Sequence, residues 1–414
     1  MRCASWKICQ THDVVSRCRC PGSISGSRTG VGTVDGAWSV CRRAQSNLLR
    51  NRWRGGSGDE RRQEAVTAVY EIDFLPVESE SGEGSKSGDA ITAQLTLNDG
   101  RTVVLVIDGG FGATGEKIVE HIRTYYGTDR VDIMVSTHPD ADHLNGLKHV
   151  VETLEVGELL IHRPRDHAHN VSDFSNLEAV DDLIAAAEKR QVTISEPFTK
   201  LSRWGDQLQI LGPSEDYYED LLAEHLLDMK LGISASRSSL AASLLSKGRD
   251  LLATVLPSLP IETLGEDGET SPRNNSSAIV LLTVDDRRIL FTGDAGIHAM
   301  TAAADEYERT IGSFELYPLT VLQAPHHGSR RNLAPSLLNR IVGTPESPFG
   351  AFQAPISSAK ASPKHPSPKV VNALSRRGGY VVATEGRTVC LSHDTVRPGW
   401  SRIDALPPLV EDND

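Results

Sequence analysis

The chain has 414 residues, 39% of them hydrophobic, which is enough for one large domain or two ordinary ones with a substantial core. It contains no run of about 18 apolar residues, so the sequence predicts no membrane-spanning helix. The charge is uneven, because residues 1–64 hold 12 Lys and Arg against 5 Asp and Glu, whereas residues 65–414 hold 31 against 50.

The basic head, residues 1–64, shows no periodicity typical of a helix or a strand. It holds five of the six cysteines: Cys3, Cys9, Cys18, Cys20 and Cys41. No CxxC pair of a zinc site is present, and no apolar segment of a signal peptide. We interpret the head as a disordered extension or as the product of a start codon placed too far upstream; a basic nucleic-acid-binding tail is the alternative. The one remaining cysteine, Cys390, fits a reducing, cytoplasmic setting.

From residue 65 onward the sequence alternates predicted strands and helices. Strands are expected at 68–75, 89–97, 101–107, 131–137, 158–162 and 207–211, and helices at 118–126, 144–154 and 176–190. This order is typical of an α/β fold. Residues 214–273 break the order with helical stretches at 218–229 and 240–252, which we interpret as a helical insertion. It forms either a lid over the site or a surface excursion without a role.

A dense polar cluster follows the strand at 131–137: His138, Asp140, Asp142 and His143 lie within six residues. Imidazole and carboxylate ligands together suit zinc, manganese or iron, and this spacing cannot direct all four side chains at one ion. Two ions about 3.5–4 Å apart could share a hydroxide. The alternative is a helix start, in which Asp142 or Asn145 caps the helix at 144–154.

The second half of the chain offers further ligands at strand ends. Strands predicted at 277–282, 288–291 and 319–323 lead into Asp294 and into the pair His326-His327. Side chains at the ends of separate strands can meet at one edge of an α/β sheet. Asp294 is therefore expected to bridge two ions, and His326 or His327 to complete the second ion's shell.

These motifs, THPDADHLNGL, LFTGD and APHHGS, preceded by GDAI and VIDGG, resemble the metallo-β-lactamase superfamily. More narrowly, they are similar to the hydrolase domain of the DNA-uptake channel protein ComEC. The resemblance implies a four-layer αββα sandwich over residues 65–400, with a C-terminal tail at 401–414. It also implies a dinuclear centre of two divalent metal ions, Zn²⁺ or Mn²⁺, at one edge of the sandwich.

The resemblance also implies roles for individual residues. His138 and Asp140 would hold the first ion, Asp142 and His143 the second, and Asp294 would bridge them. His326 is expected to be the second ion's remaining ligand, with His327 facing the substrate; the reverse order stays open. Asp140 stands where the superfamily usually has a histidine, and residues 272–276 lack another, which favours harder ions such as manganese.

Two histidine groups lie outside these motifs. His365, in Ser362-Pro363-Lys364-His365-Pro366, resembles an element that points toward the metals and could protonate a leaving group; otherwise it only sets the entry of the helix at 369–375. His162, His167 and His169 form a local cluster that is either on the substrate side or in an exposed loop.

The expected function is hydrolysis by a hydroxide held between two metal ions, most simply of a phosphodiester in a nucleic acid. In that reaction Asp142 would orient the nucleophile or accept its proton, and His327 and His365 would serve the leaving oxygen. Basic residues near the motifs could bind phosphate: Arg330, Arg331, Lys360, Lys364 and Lys369. The alternatives are hydrolysis of a small ester, lactone or thioester on the same centre, and a binding or regulatory module without turnover. No membrane partner is expected, and the oligomeric state is open.

Overall fold

The computed structural model describes residues 5–9, 69–79, 86–168, 171, 174, 176–231, 259, 261–395 and 397–411. For residues 5–9 and 228–231 it describes the backbone alone. These residues belong to one unit, residues 1–10 with 66–414. The predicted helix at 240–252, His169 and most of the cysteine-rich head lie outside the described residues.

Two sheets dominate the described part of the chain. The first contains β1 (Ser5–Cys9), β2 (Tyr70–Phe74), β3 (Ala90–Thr96), β4 (Thr102–Gly109), β5 (Arg130–Val135), β6 (Glu155–Leu160), β7 (Thr193–Ser195), β17 (Val389–His393) and β18 (Trp400–Ser401). The second contains β8 (Ser202–Arg203), β9 (Leu208–Gly212), β10 (Ile279–Val284), β11 (Arg287–Phe291), β12 (Val321–Leu322), β15 (Phe352–Ile356) and β16 (Gly379–Ala383). A small pair joins β13 (Gly343–Thr344) and β14 (Ser347–Pro348).

The strand order places β1 to β7 in the first sheet and most of the following strands in the second, and β17 and β18 return to the first. The first sheet runs β18-β1-β17-β2-β3-β4-β5-β6-β7, and the second runs β16-β15-β12-β11-β10-β9-β8. Strands β4 to β7 are parallel, as are β11, β12, β15 and β16. The carboxyl ends of neighbouring parallel strands meet at one edge, so the polar residues that follow β4 and β5, and those that follow β11 and β12, are gathered there.

The apolar pattern of the strands explains how the sheets pack. In β4 the side chains of Val103, Leu105 and Ile107 contact the second sheet, whereas Val104 and Val106 contact helices. Successive side chains on a strand point to opposite faces, so a strand that is apolar at every position is covered on both sides. The same core between the sheets contains Val280 and Phe291 of the second sheet.

Helices cover the outer faces of both sheets. Their bounds are α1 (Thr114–His121), α2 (Ala141–Leu144), α3 (Leu147–Thr153), α4 (Pro164–His167), α5 (Leu177–Lys189), α6 (Glu215–Leu231), α7 (Pro272–Asn275), α8 (Ile297–Thr310), α9 (Pro335–Val342) and α10 (Pro368–Arg376). A π-helical turn continues α1 over Ile122–Tyr126. Helices α1, α3 and α5 pack on the first sheet and α8, α9 and α10 on the second. This is the αββα sandwich of the metallo-β-lactamase fold, and the predicted fold class is confirmed.

A buried ionic network lies in the first sheet, around Asp73 of β2. Arg397 donates to both oxygens of Asp73 at 2.8 and 2.9 Å and to Glu71 Oε2 at 2.6 Å. The hydroxyl of Tyr126 donates to Asp73 Oδ2 at 2.7 Å. Every charge in this group therefore has a partner, as buried charges require.

Three elements differ from their sequence-based bounds. The helix predicted at 144–154 is divided into α2 and α3, whose N-cap residues are Asp140 and Gly146 rather than Asp142 or Asn145. The helix predicted at 118–126 begins four residues earlier, at Thr114. Residues 5–9, where the sequence suggests no regular element, form a strand paired with β17 and β18. Among the residues described, no helix has the length and apolar character needed to cross a bilayer.

Candidate metal centre

The polar cluster that follows β5 is held in place by a single carboxylate on the neighbouring strand. Asp108, at the end of β4, accepts hydrogen bonds from the backbone N–H and the hydroxyl of Thr137, at 2.8 and 2.7 Å. Its Oδ2 also lies 2.8 Å from Nδ1 of His143. Asp108 therefore fixes the start of the loop and orients a side chain at its far end.

Close backbone contacts bring the turn after His138 against the neighbouring strands. A Cβ added at Gly146 would lie 2.0 Å from the carbonyl oxygen of Gly109, and one at Gly88 would lie 2.3 Å from that of Asp142. Only glycine permits such an approach. The contact at Gly88 places Asp89 beside the loop, where its N–H donates to the Asp142 carbonyl oxygen at 3.1 Å.

Asp294 lies between two groups of histidines. Its Oδ1 is 3.3 Å from Nε2 of His143 and 3.9 Å from Nε2 of His327. Its Oδ2 is 3.5 Å from Nε2 of His326 and 3.7 Å from Nε2 of His138. The hydroxyl of Ser277 accepts a hydrogen bond from the Asp294 N–H at 3.1 Å, which fixes the backbone at this point. Each carboxylate oxygen of Asp294 thus faces a different pair of imidazoles.

The turn after β12 sends its two histidines to opposite sides of Asp294. His326 and His327 both have positive φ, 50° and 56°, an uncommon conformation for two consecutive side chains. His327 Nε2 lies 3.7 Å from Asp142 Oδ2. On the other side, Nδ1 of His326 lies 3.1 Å from both Asn274 Nδ2 and Asn332 Oδ1, so its Nε2 is the nitrogen that faces Asp294.

We name the two sets of candidate ligand atoms by their first histidines. The His138 group consists of His138, Asp140, His326 and Asp294 Oδ2. The His143 group consists of Asp89, Asp142, His143, His327 and Asp294 Oδ1. The sequence-based pairing put His326 with Asp142 and His143, whereas the structure brings His327 to them.

The buried polar atoms of this centre fit a divalent metal. Several lack any hydrogen-bond partner: Asp89 Oδ1, His138 Nε2, Asp140 Oδ1, His143 Nε2, Asp294 Oδ1 and His327 Nε2. Buried polar groups without partners are rare in proteins unless water or an ion satisfies them. Asp89, His143, Asp294 and His327 each offer one ligand atom, and these four atoms lie within 4.8 Å of one another. Mixed imidazole and carboxylate donors match Zn²⁺ or Mn²⁺.

The sequence motifs did not predict a role for two residues of this centre, Asp89 and Asp108. Asp89 is 1% exposed, and its Oδ2 accepts from Gln323 Nε2 at 3.0 Å. Asp108 orients His143 as described above. Both residues occur in motifs that the resemblance used, GDAI and VIDGG, and each stands where a strand begins or ends. Their position at strand boundaries is the sequence feature from which a role in the centre could have been predicted.

The carboxylates and histidines of the centre shift one another's protonation. Burial raises the pKa of Asp142, but the nearby imidazoles of His327 and His143 outweigh it and lower that pKa to about 2. Burial lowers the pKa of His143, yet Asp294 and Asp108 raise it well above its usual value. Burial and the charge of His143 lower the pKa of His138 to about 3. The ionised carboxylates of the centre therefore stabilise a positive charge on the imidazole of His143, as they would a bound cation.

His365 lies beside the histidine turn. Its ring centroid is 5.6 Å from that of His326 and 6.1 Å from that of His327. The N–H of Ser367 donates to the Gly328 carbonyl at 2.9 Å, which ties this segment to the turn. Burial and the charges of His327 and His326 lower the pKa of His365 to about 3. The imidazole is thus neutral near pH 7.

Of the second histidine cluster the structure describes His162 and His167, and both side chains are largely buried. His162 is buried and stacks on Tyr218, with ring centroids 4.5 Å apart. A small cavity, lined by both His162 and His138, separates it from the centre. His167 Nε2 lies 3.1 Å from both Glu196 oxygens, and its Nδ1 lies 3.1 Å from Glu219. No contact between this cluster and the His143 group appears among the described residues.

The basic residues that could bind phosphate are mostly exposed. Arg330, Arg331, Lys360 and Lys364 are exposed, and Lys369 is half-buried. Closer to the ligands, Arg273 Nη1 lies 3.4 Å from Asp140 Oδ1. A positive charge is therefore in contact with the His138 group itself.

Comparison with a protein-family model agrees with the fold. Residues 96–212 match the family model described as "Metallo-beta-lactamase superfamily", a segment that contains the loop from His138 to His143 and ends before Asp294. No curated protein matches the chain. Among solved structures the chain is similar to a long form RNase Z from yeast, at 12% sequence identity and a TM-score of 0.29. That match covers 77% of this chain and 37% of the other, and a likeness at this level carries no argument about activity.

Proposed function

We propose that residues 65–400 form a metal-dependent hydrolase of the metallo-β-lactamase superfamily that cleaves phosphodiesters. The observation that carries this proposal is the position of Asp294, whose two oxygens each face two Nε2 atoms at 3.3–3.9 Å. A carboxylate shared in this way between two sets of ligands is the arrangement that a two-metal hydrolytic site needs.

The residues around Asp294 would hold two divalent ions, Zn²⁺ or Mn²⁺. His138, Asp140 and His326 would hold the first, and Asp89, Asp142, His143 and His327 the second, with Asp294 shared. This assignment exchanges the roles that the sequence suggested for His326 and His327. Bound ions of this kind lower the pKa of a coordinated water to about 7 and stabilise the charge that develops on a reacting phosphate.

Hydrolysis of a phosphodiester forms one P–O bond to the water oxygen and breaks the P–O bond to the leaving oxygen, which takes up the proton that the water loses. The ionised carboxylate of Asp142 can accept a hydrogen bond from the attacking water and orient it. His365, neutral near pH 7 and close to His326, can donate a ring N–H to the leaving oxygen. Asp108 and Asn332 keep His143 and His326 oriented with their Nε2 atoms toward Asp294.

A phosphodiester fits the local charge better than the overall charge. Residues 65–414 are strongly acidic, which opposes a broad phosphate-binding face. However, Arg273 touches the His138 group, and Arg330, Arg331, Lys360 and Lys364 are exposed in the segments around it. Because of these local positive charges, and because the motifs resemble those of the ComEC hydrolase domain, our preferred substrate is a nucleic acid.

The test is an assay of purified protein with bis-p-nitrophenyl phosphate and single-stranded DNA, with Mn²⁺ or Zn²⁺ and after chelation. We expect cleavage that depends on the ion and falls at least 100-fold in Asp294→Asn, because the shared carboxylate is lost. Asp305→Asn is the matched control, since Asp305 is 69% exposed and pairs with Arg340 on the helix layer. No cleavage with any divalent ion would remove the proposal.

The acidic character of residues 65–414 also favours a second candidate, hydrolysis of a small ester, lactone or thioester, which needs no basic surface. Turnover of p-nitrophenyl acetate with the phosphodiester untouched would select it. A non-catalytic module is the remaining alternative, and it is excluded if a robust activity disappears in Asp142→Ala.

A further inference from the structure

Arg273 lies on α7, a short helix that is fixed tightly at the entrance to β10. The hydroxyl of Ser271 accepts a hydrogen bond from the Asn274 N–H at 3.1 Å and caps the helix. At the other end, the N–H and hydroxyl of Ser276 donate to the Arg273 carbonyl oxygen at 3.1 and 2.6 Å. The backbone that carries Arg273 is therefore held from both sides.

The same helix contacts the centre through its two asparagines. Asn274 Nδ2 lies 3.1 Å from His326 Nδ1. Asn275 Oδ1 accepts from the N–H of Gly296 at 3.1 Å, two residues beyond Asp294. Arg273 thus sits on an element whose distance from His326 and Asp294 is fixed, which is what positioning a substrate requires.

The guanidinium of Arg273 is only partly engaged by the protein. Its Nη1 lies 3.4 Å from Asp140 Oδ1, and Nε is buried without a hydrogen-bond partner. The side chain remains 28% exposed. Among the residues described, the carboxylate that lies within ion-pair distance of this guanidinium is that of Asp140. A guanidinium has five N–H groups in one plane, so most of its donors are left for another acceptor.

An anion fits these donors better than any other group. Arginine stays charged at every physiological pH, and its planar N–H groups match two oxygens of a phosphate. The charge lies next to Asp140, where a substrate bound at the first metal position would place its non-bridging oxygens. A neutral ester offers no such charge. The residue therefore distinguishes substrates by charge rather than by size.

We propose that Arg273 is an anion-binding residue that selects phosphodiesters by binding a non-bridging phosphate oxygen beside Asp140. The proposal rests on the hydrolase function proposed above, and it names a residue that determines specificity within that site. If Arg273 instead only positions Asp140, its loss acts through the metal and not through the phosphate.

The test compares Arg273→Gln and Arg273→Lys with Arg340→Gln. Arg340 is a matched control because its side chain is 30% exposed and paired with carboxylates, Asp305 and Glu308, on the helix layer. Three quantities are measured on Mn²⁺-loaded protein: kcat/KM for bis-p-nitrophenyl phosphate, the Kd for inorganic phosphate by calorimetry, and metal content by elemental analysis. Circular dichroism checks that each variant is folded.

We expect Arg273→Gln to lower kcat/KM and to weaken phosphate binding, each by about 10- to 100-fold, as the loss of a charge-assisted hydrogen bond does. Arg273→Lys should recover part of the activity and part of the phosphate affinity. The metal content should not change in either variant. The proposal is overturned if phosphate binding stays within about two-fold of Arg340→Gln, or if weaker binding simply follows a loss of metal. Phosphate binding is read without turnover, so an inactive wild-type protein would count against the phosphodiesterase alone.

Discussion

Nδ1 of His143 lies 2.8 Å from Oδ2 of Asp108, and this contact directs Nε2 of the same ring toward Asp294. A carboxylate behind a metal-binding histidine fixes its tautomer and raises the basicity of the nitrogen that binds the ion. Asp108 is fully buried and also holds Thr137, so it links the orientation of the ring to the path of the loop.

Replacing Asp108 should weaken metal binding without removing a ligand. We expect Asp108→Asn to lower the affinity for the bound ions by about 10- to 100-fold, because His143 loses its acceptor. Competition with a chromogenic chelator measures the change. Asp129→Asn is the control, since Asp129 is a 70% exposed partner of Arg123. Equal affinities in the two variants would contradict the role given to Asp108.

Asp89 should be needed for one of the two ions. Its carboxylate is buried, with Oδ1 unpaired, in the His143 group. We therefore expect Asp89→Ala to reduce the metal content from two ions per chain toward one, as measured by elemental analysis after dialysis. Asp285→Asn, in an exposed turn, should keep both ions. Two ions in Asp89→Ala would show that Asp89 is not a ligand.

The pairing of His327 with Asp142 can be measured as a coupling free energy. We expect the double-mutant cycle of Asp142→Asn with His327→Gln to give a coupling of about 1 kcal/mol or more in the free energy of metal binding. The corresponding cycle with His326→Gln should give a smaller value, because His326 lies on the other side of Asp294. The reverse order would restore the sequence-based assignment of these two histidines.

The buried network around Arg397 should contribute to stability rather than to activity. Arg397→Ala leaves the buried carboxylates of Asp73 and Glu71 without their guanidinium partner, so we expect a loss of about 3–5 kcal/mol in the free energy of unfolding, measured with urea. Arg101→Ala removes the partner of Asp99 at a site that is 62% exposed, and should cost far less, because water screens an exposed ion pair. A similar loss in both variants would mean that burial of the network is unimportant.

The same network predicts how stability depends on pH. Burial raises the pKa of Asp73, but His121 and Arg397 outweigh it and hold that pKa well below its usual range. The unfolded chain binds the proton more readily, so this stabilisation is complete above about pH 4 and decreases as the pH falls further. Urea titrations between pH 6 and pH 3 should show a shallower loss in Arg397→Ala than in the wild type.

The sequence indicates the strand-end loop because its four candidate ligands, two histidines and two aspartates, lie within six residues and follow a strand. It predicts less where the geometry depends on distant contacts. The helix at 144–154 is divided because Gly146 packs against the Gly109 carbonyl, a contact between separate segments. Local periodicity holds no information about such a contact.

The sides taken by His326 and His327 could not be predicted for a related reason. In an extended strand, successive side chains alternate between the two faces, so the direction of each can be predicted. His326 and His327 both have positive φ, so this rule does not apply to them. The place of Asp89 in the centre could not be predicted, because its hydrogen-bond partner there, Gln323, is 234 positions away along the chain. Nothing in the local sequence predicts Arg273 beside Asp140, because this contact joins two distant segments of the chain.

The side chain of Gln323 makes two hydrogen bonds, one toward each sheet. Its Nε2 donates to Asp89 beside the first sheet, and its Oε1 accepts from the N–H of Thr292, at the end of β11 in the second. The ligand groups are divided in the same manner, with Asp142 and His143 following β5 and Asp294 and His327 following β11 and β12. Ions bound there would act as a cross-link between the two halves of the chain. Loosening of the core between the sheets should release metal before either sheet comes apart.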